Sequence, residues 1–306
     1  MIKLRCNMCD GVGENELDVR FGTSCDNACP FCINHIGRPA QKFNLEKIIE
    51  TTLAEGKRDC INIVGGEPLL PCRLDDLYTF IKAVRPITKS ICIITSLPQI
   101  PAEKQELFEK ILDLTDDLII SLQHFNNLVN NKLMNASNKY NRIQALIDLS
   151  KSQYSAKLNV TLNISSNGIN NEEKLAHALK FFDSLGIKYV RLNELGNTPL
   201  HISMREVMPE YKFKSPYAHG CSVNVTKYLI RKYKLKNIKT IKARIRCFMI
   251  EPSEEASKAD LFKAKIQLRA LKRAQKHHKV YKYTRHRHTV VYEDGTVSFA
   301  WQVYTK

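Results

Sequence analysis

The sequence predicts an α/β fold, a partial (β/α)6 barrel of the TIM type followed by a basic C-terminal extension. Three observations predict it: six short apolar, β-branched runs recur along the chain, helical apolar periodicity separates them, and glycines stop two of the helical runs. The strand candidates are "LDVRFG" (17–22), "CINIV" (60–64), "ICIIT" (91–95), "DLIISL" (117–122), "LNVTLNI" (158–164) and "IKYVRL" (187–192). After the first, Leu45, Ile48, Ile49 and Leu53 share one helical face, which Gly56 ends. Leu74, Leu77, Phe80, Ile81 and Val84 mark the second helix, and Leu107, Ile111 and Leu114 the third. Ile143, Leu146 and Ile147 mark the fourth, and Leu175, Leu179 and Phe182, stopped at Gly186, the fifth. Strands alternating with helices imply a parallel sheet, and sites in such folds form at the C-terminal ends of the strands. On this reading residues 1–14 precede the barrel, 15–200 form it, and 201–306 extend it.

Composition narrows the class. With 306 residues, 43% of them apolar and 25% charged, the chain reads as a soluble globular protein. No run approaches the ~18 apolar residues of a membrane span. The opening "MIKLRCNMCDG" is basic but has neither an apolar core nor a small-residue cleavage site, so a cytoplasmic location and no membrane association are expected. In such a compartment ten cysteines point to metal binding or redox chemistry rather than to disulfides.

Three of those cysteines, Cys25, Cys29 and Cys32, crowd into "CDNACPFC" directly after the first strand, at the end of the barrel where sites form. Three thiolates without a local fourth suit a four-iron cubane that leaves one iron open to another molecule, as an open position suits a catalytic zinc. Spacing alone also allows a structural zinc completed by His35 or Cys6. After the second strand comes "GGEPLL" (65–70), where two glycines let the backbone approach a neighbour closely, Glu67 adds a carboxylate and Pro68 fixes the exit of the loop. By itself this is an ordinary βα turn with a capping acid.

Together, C-x3-C-x2-C after the first strand and GGEP after the second resemble the radical S-adenosylmethionine superfamily, over roughly residues 15 to 195. The resemblance implies that Cys25, Cys29 and Cys32 hold a 4Fe-4S cluster whose open iron takes the amine and carboxylate of S-adenosyl-L-methionine. It implies that Phe31 borders the adenine, and that Gly65, Gly66, Glu67 and Pro68 meet the cofactor's amino group. Ser121, Gln123, Asn163 and Ser165, at the ends of the fourth and fifth strands, are implied near the ribose and carboxylate, although "NISSNG" replaces the family's usual glycine-rich pattern there. The implied activity is reductive cleavage of the cofactor to a 5'-deoxyadenosyl radical that takes a hydrogen atom from a substrate. A flavodoxin- or ferredoxin-like protein would donate the electron.

Outside the barrel, Cys6 and Cys9 form C-x2-C, while Cys221 and Cys247 follow the sixth strand. Four thiols suffice for a second iron-sulfur cluster or a zinc site, and ordinary buried thiols are the equal alternative. Superfamily members with auxiliary clusters carry several cysteines in Twitch or SPASM extensions, and this chain has two there. Cys60 and Cys92, inside apolar strands, are expected in the core; Cys72 could line the site but is expected in a packing role, and His35 and Arg38 are candidates for substrate contact, with loop solvation the favoured reading. "VVYEDGTVSFAW" alternates around Asp294-Gly295 and predicts a hairpin similar to those of such extensions, without their cysteines.

Charge is partitioned. Residues 227–287 hold 20 lysines and arginines against 4 acidic residues, which leaves 27 of each sign elsewhere. Within them Leu261, Lys265, Leu268, Leu271 and Lys272 predict a basic amphipathic helix. The expected partner is an acidic macromolecule, a peptide or protein with carboxylates or an RNA with phosphates. The auxiliary-type cysteines and the hairpin favour a peptide-modifying radical enzyme, and the basic segment favours an RNA-modifying one. A cluster-binding partner subunit without turnover is a third reading, against which the two intact motifs stand.

Overall fold

The structure, a computed structural model, describes residues 15–32, 41–136, 140–195, 200–211, 222–244 and 289–298. In chain order the barrel elements are β1 (Glu16–Arg20), α1 (Leu45–Ala54), β2 (Arg58–Val64), α2 (Leu74–Val84), β3 (Thr88–Thr95), α3 (Gln105–Leu114), β4 (Asp117–Leu122), α4 (Asn127–Met134), α5 (Arg142–Lys151), β5 (Leu158–Ile164), α6 (Glu172–Ser184) and β6 (Tyr189–Glu194). All six expected strands and all five expected helices are present. Periodicity gives no sign of α4, whose eight residues "NLVNNKLM" carry few apolar side chains. Beyond β6 come α7 (Met204–Val207), β7 (Ser222–Asn224), α8 (Thr226–Tyr233), β8 (Thr240–Arg244), β9 (Thr289–Val291) and β10 (Val297–Ser298).

Local chemistry sets the helix ends. Asn44, Asn126, Asn141 and Asn171 each accept a backbone N–H bond from the first turn of α1, α4, α5 and α6. After α1 and α6 the chain turns at Gly56 (φ +75°) and Gly186 (φ +72°), where a side chain would be strained. Asn135 takes the same left-handed conformation after α4, at φ +46°.

The strands form one open sheet in the order β10-β9-β1-β2-β3-β4-β5-β6-β8-β7. Eight neighbours from β9 to β8 run parallel, and β10 and β7 pair antiparallel at the two edges. The sheet therefore continues past residue 200. The expected hairpin forms around Asp294-Gly295, and its strand β9 lies beside β1, pairing Leu17 with Thr289 and Val19 with Val291. Helices cover one face, where Leu17, Val19, Ile61, Ile63, Ile93, Ile120, Leu162 and Leu192 of the strands bury against Ile48, Phe80, Ile111, Leu146 and Phe182. Each such side chain contributes about 1.5–3 kcal/mol when fully buried. The other face carries a smaller apolar cluster of Cys60, Cys92 and Ile119 with Ile94 and Tyr189, so these two cysteines are core residues as expected. Around it buried polar pairs are satisfied across strands: the Asn62 amide donates to Asp18 at 2.9 Å, and that of Asn159 to Asp117 at 2.8 Å. Among the described residues no helix is long and apolar enough to cross a membrane.

Candidate active site

The loops that leave the C-terminal ends of β1 to β5 assemble the site. The cysteine loop starts at Phe21 and returns at Phe43, whose ring meets Phe21 edge-on at 5.2 Å, with the Arg73 guanidinium over Phe43 at 3.9 Å. Cys25 is exposed, and Cys29 and Cys32 are half-buried. Phe31, between the last two thiols, is also half-buried.

The loop after β2 is pressed onto this one. Gly66 N–H donates to Gly22 O at 2.9 Å and Glu67 N–H to Ser24 O at 2.8 Å. A Cβ on Gly65 would stand 2.5 Å from Gly22 O, and one on Gly66 2.1 Å from Ser24 O. The close approach that these glycines permit is thus to the backbone of the cysteine loop. Glu67 is buried and its carboxylate faces β3: Oε1 accepts from Thr95 Oγ1 at 2.7 Å and Leu69 N–H at 3.0 Å, and Oε2 from Ser96 N–H at 2.7 Å and Ser96 Oγ at 2.6 Å. Burial raises its pKa, opposed by the donors from Ser96, Thr95 and Leu69.

On the other flank, the turn after α4 holds the loop. Ala28 N–H donates to Asn135 O at 3.2 Å, and Asn27 bridges Ala136. Arg142, the first residue of α5 and fully buried, forms an ion pair with Asp26 and donates to Asn131 Oδ1 at 3.2 Å. Asn27 Nδ2 donates to Ser96 Oγ at 3.0 Å and approaches Cys25 Sγ at 3.7 Å. Sequence patterns single out none of Asp26, Asn27, Thr95, Ser96 and Arg142. "ITS" at the end of a strand holds a signal for Thr95 and Ser96; Arg142 and Asp26, 116 positions apart, hold none.

The three thiols share one electrostatic environment. Burial pushes Cys29 up to about 12, reinforced by Cys32 and Cys25, while Arg142 pulls the other way. Cys25 is exposed as a residue, but the protein atoms around its sulfur displace part of the water there and push it up to about 11, with Glu67 and Asp26 adding to the rise. Thiols close enough to repel one another as thiolates fit a polynuclear cationic core, which relieves that repulsion. Among the described residues no three His, Cys, Asp or Glu side chains converge as ligands of a single ion.

Further round the barrel mouth, Asn193 Nδ2 donates to Asn163 Oδ1 at 2.9 Å, and Asn163 Nδ2 to Gln123 Oε1 at 3.0 Å. This amide row across β6, β5 and the end of β4 joins two expected residues to Asn193, which the sequence patterns do not mark. Ser165 is buried in the turn after β5, 2.7 Å from where a Cβ on Gly168 would stand, and Ser121 is half-buried on β4. His124 is a further unexpected neighbour. Its Nδ1 accepts from Asn126 N–H at 3.0 Å, so the neutral ring carries its proton on Nε2, and burial followed by Lys174 lowers its pKa. Cys72, expected to pack, is instead exposed, because the turn Pro71–Arg73 carries it outward. Cys6, Cys9, Cys221, Cys247, His35, Arg38 and the helix expected around Leu261 to Lys272 lie outside the described residues.

The structure is an open, mostly parallel α/β barrel whose first two strand-end loops interlock just ahead of three closely spaced thiols, at the C-terminal ends of the strands. The family described as the Radical SAM superfamily matches residues 19–182, and the chain belongs to it. It is an enzyme of the radical SAM class, and membership implies a 4Fe-4S cluster and S-adenosylmethionine. Among solved structures, Streptococcus suis SuiB bound to S-adenosylmethionine aligns with TM-score 0.57 at 14% identity, covering 93% of this chain and 60% of that one. SuiB bound to precursor peptide SuiA aligns with TM-score 0.59 at 15% identity, covering 93% and 59%. At that identity the likeness is one of fold, and the chain spans about three fifths of SuiB's length. No curated protein sequence matches the chain.

Proposed function

We propose that Cys25, Cys29 and Cys32 hold the 4Fe-4S cluster and that the enzyme abstracts a hydrogen atom from a peptide or protein. The observation that carries this reading is the interlock of the three-thiol loop with the GGEP loop at the C-terminal ends of β1 and β2. When bound, the cluster and cofactor supply reductive C–S bond cleavage to a 5'-deoxyadenosyl radical, with an electron from a flavodoxin- or ferredoxin-like donor. The chain's own residues position and enclose. Glu67 fixes the second loop to β3, and the backbone of Gly65 to Pro68 would be the part of that loop to meet the cofactor's amino group. Gln123, Asn163, Ser121 and Ser165 offer amides and hydroxyls for its ribose and carboxylate, Phe31 offers a ring for its adenine, and the barrel wall excludes water.

A peptide substrate is supported by the fold likeness to SuiB, which has been solved with its precursor peptide, and by the terminal hairpin. An RNA substrate is the second reading, favoured by the 20 basic against 4 acidic residues of 227–287. The test of the core reading is anaerobic reconstitution with iron and sulfide, then incubation with S-adenosylmethionine and dithionite. The parent should release 5'-deoxyadenosine and Cys29→Ala should release none; equal release from both sinks the assignment.

A further inference from the structure

The clamp on the cysteine loop contains a largely buried charge pair beside its hydrogen bonds. Asp26 lies inside the ligand triplet, directly after Cys25, and pairs with Arg142 on α5, whose side chain is 0% exposed against 13% for Asp26. The backbone bond from Ala28 to Asn135, and the Asn27–Ser96 link, already pin the same loop. Both charges lie beside the thiols: Asp26 Oδ1 is 3.9 Å from Cys25 Sγ, and the Arg142 guanidinium sits on the other oxygen of the same carboxylate. Charge inside a protein is screened by water in proportion to its exposure, so the buried guanidinium acts at longer range than the partly exposed carboxylate.

We propose that Arg142 and Asp26 are positioning residues that set the reduction potential of the cluster, Arg142 raising it and Asp26 trimming that effect. Reduction adds one electron to a cluster that three thiolates already make anionic, and a cation beside it stabilises the added charge while an anion opposes it. Because Arg142 is the less screened of the two, its removal should move the potential further than removal of Asp26. This inference rests on the proposed ligand assignment.

The test is potentiometric titration of the reconstituted cluster, followed by electron paramagnetic resonance in the absence of S-adenosylmethionine, with iron content measured beside it. Arg142→Met should shift the midpoint to more negative values, Asp26→Asn should shift it to more positive values by a smaller amount, and Arg142→Lys should stay near the parent. Should one of the first two variants take up no iron, the sign of the other decides. Shifts in the same direction, or midpoints all equal to the parent, overturn the proposal and leave the pair a mechanical clamp. Loss of iron from both charge-removing variants while Arg142→Lys keeps it also overturns it. A parent that takes up no cluster fails the ligand assignment instead, which separates the two outcomes.

Discussion

At the scale of single residues, the site is governed by groups whose burial sets their chemistry. Cys29, pushed up to about 12, is almost wholly protonated at pH 8 in protein without its cluster. Only the thiolate is alkylated. Iodoacetamide labelling of Cys29 in cluster-free protein should therefore rise about tenfold per pH unit between pH 8 and 10, whereas a thiol of pKa near 8.5 would level off above pH 9. Peptide mass spectrometry after timed quenching reads the difference, and a plateau would place Cys29 in open solvent. Glu67 makes the complementary case. Its two oxygens accept four hydrogen bonds, and Ser96 N–H cannot turn away as a hydroxyl can. Glu67→Gln sets an amide N–H₂ against donors and should destabilise the cluster-free protein by about 1–3 kcal/mol, measured by urea denaturation. Glu67 is legible in the sequence as a carboxylate in the site loop, but what it binds is not. That depends on Thr95 and Ser96, 28 and 29 residues on, and only the closing of β3 beside β2 brings them there.

At the scale of elements, legibility follows how each one is held. The six barrel strands and five helices are readable because each buries a periodic apolar face, and one helix face or one strand face is a local property of the sequence. What the sequence hides is held by long-range contacts. The short helix α4 has little apolar face and serves to deliver Asn135 and Ala136 to the cysteine loop, which Arg142 at the start of α5 also reaches. Strands β7 and β8 are brief and belong to the sheet only because β6 offers an edge. The terminal hairpin is readable as a hairpin, but its seat is not. Beside β1, Glu293 Oε2 lies 3.3 Å from Arg20 Nε with both side chains buried, Glu293 Oε1 accepts from Gln41 N–H at 2.9 Å, and Glu293 O accepts from Asn44 N–H at 2.8 Å. The hairpin therefore fixes the segment by which the cysteine loop returns to α1. Glu293→Ala takes the carboxylate from a buried guanidinium, a change that costs about 3–5 kcal/mol in such pairs. The expected outcome is a lower urea midpoint and faster loss of iron from reconstituted protein. An unchanged midpoint would mean that the hairpin is bound by its backbone alone.

At the scale of the whole molecule, the charge is concentrated in one stretch of the chain. The residues before 227 and after 287 are together electrically balanced, and the net charge of +16 is contained in residues 227–287, which include most of α8 and the whole of β8 beside β6 and run on towards β9 across the sheet. The proposed cofactor chemistry and the proposed capture of an acidic partner by the basic stretch should then respond differently to ionic strength. Attraction between the basic segment and a polyanion weakens as salt screens it, while the proposed cluster and cofactor sites, which do not depend on that segment, should be little affected. Binding to total cellular RNA or to an acidic peptide should fall steeply between about 50 and 200 mM salt, on the order of a thousandfold for an RNA with six or more of its phosphates neutralised. Uncoupled cleavage of S-adenosylmethionine should stay level over the same range. Replacing Lys272, Arg273 and Lys276 with Gln should flatten the slope of log affinity against log salt by roughly one for each phosphate left without its cation. An acidic peptide releases fewer condensed counterions and should give the shallower line, so the slope itself separates the peptide substrate from the RNA. Binding to both that ignores salt and the triple substitution would make the basic segment a solvated surface, and the substrate would then be small enough to enter the barrel without it.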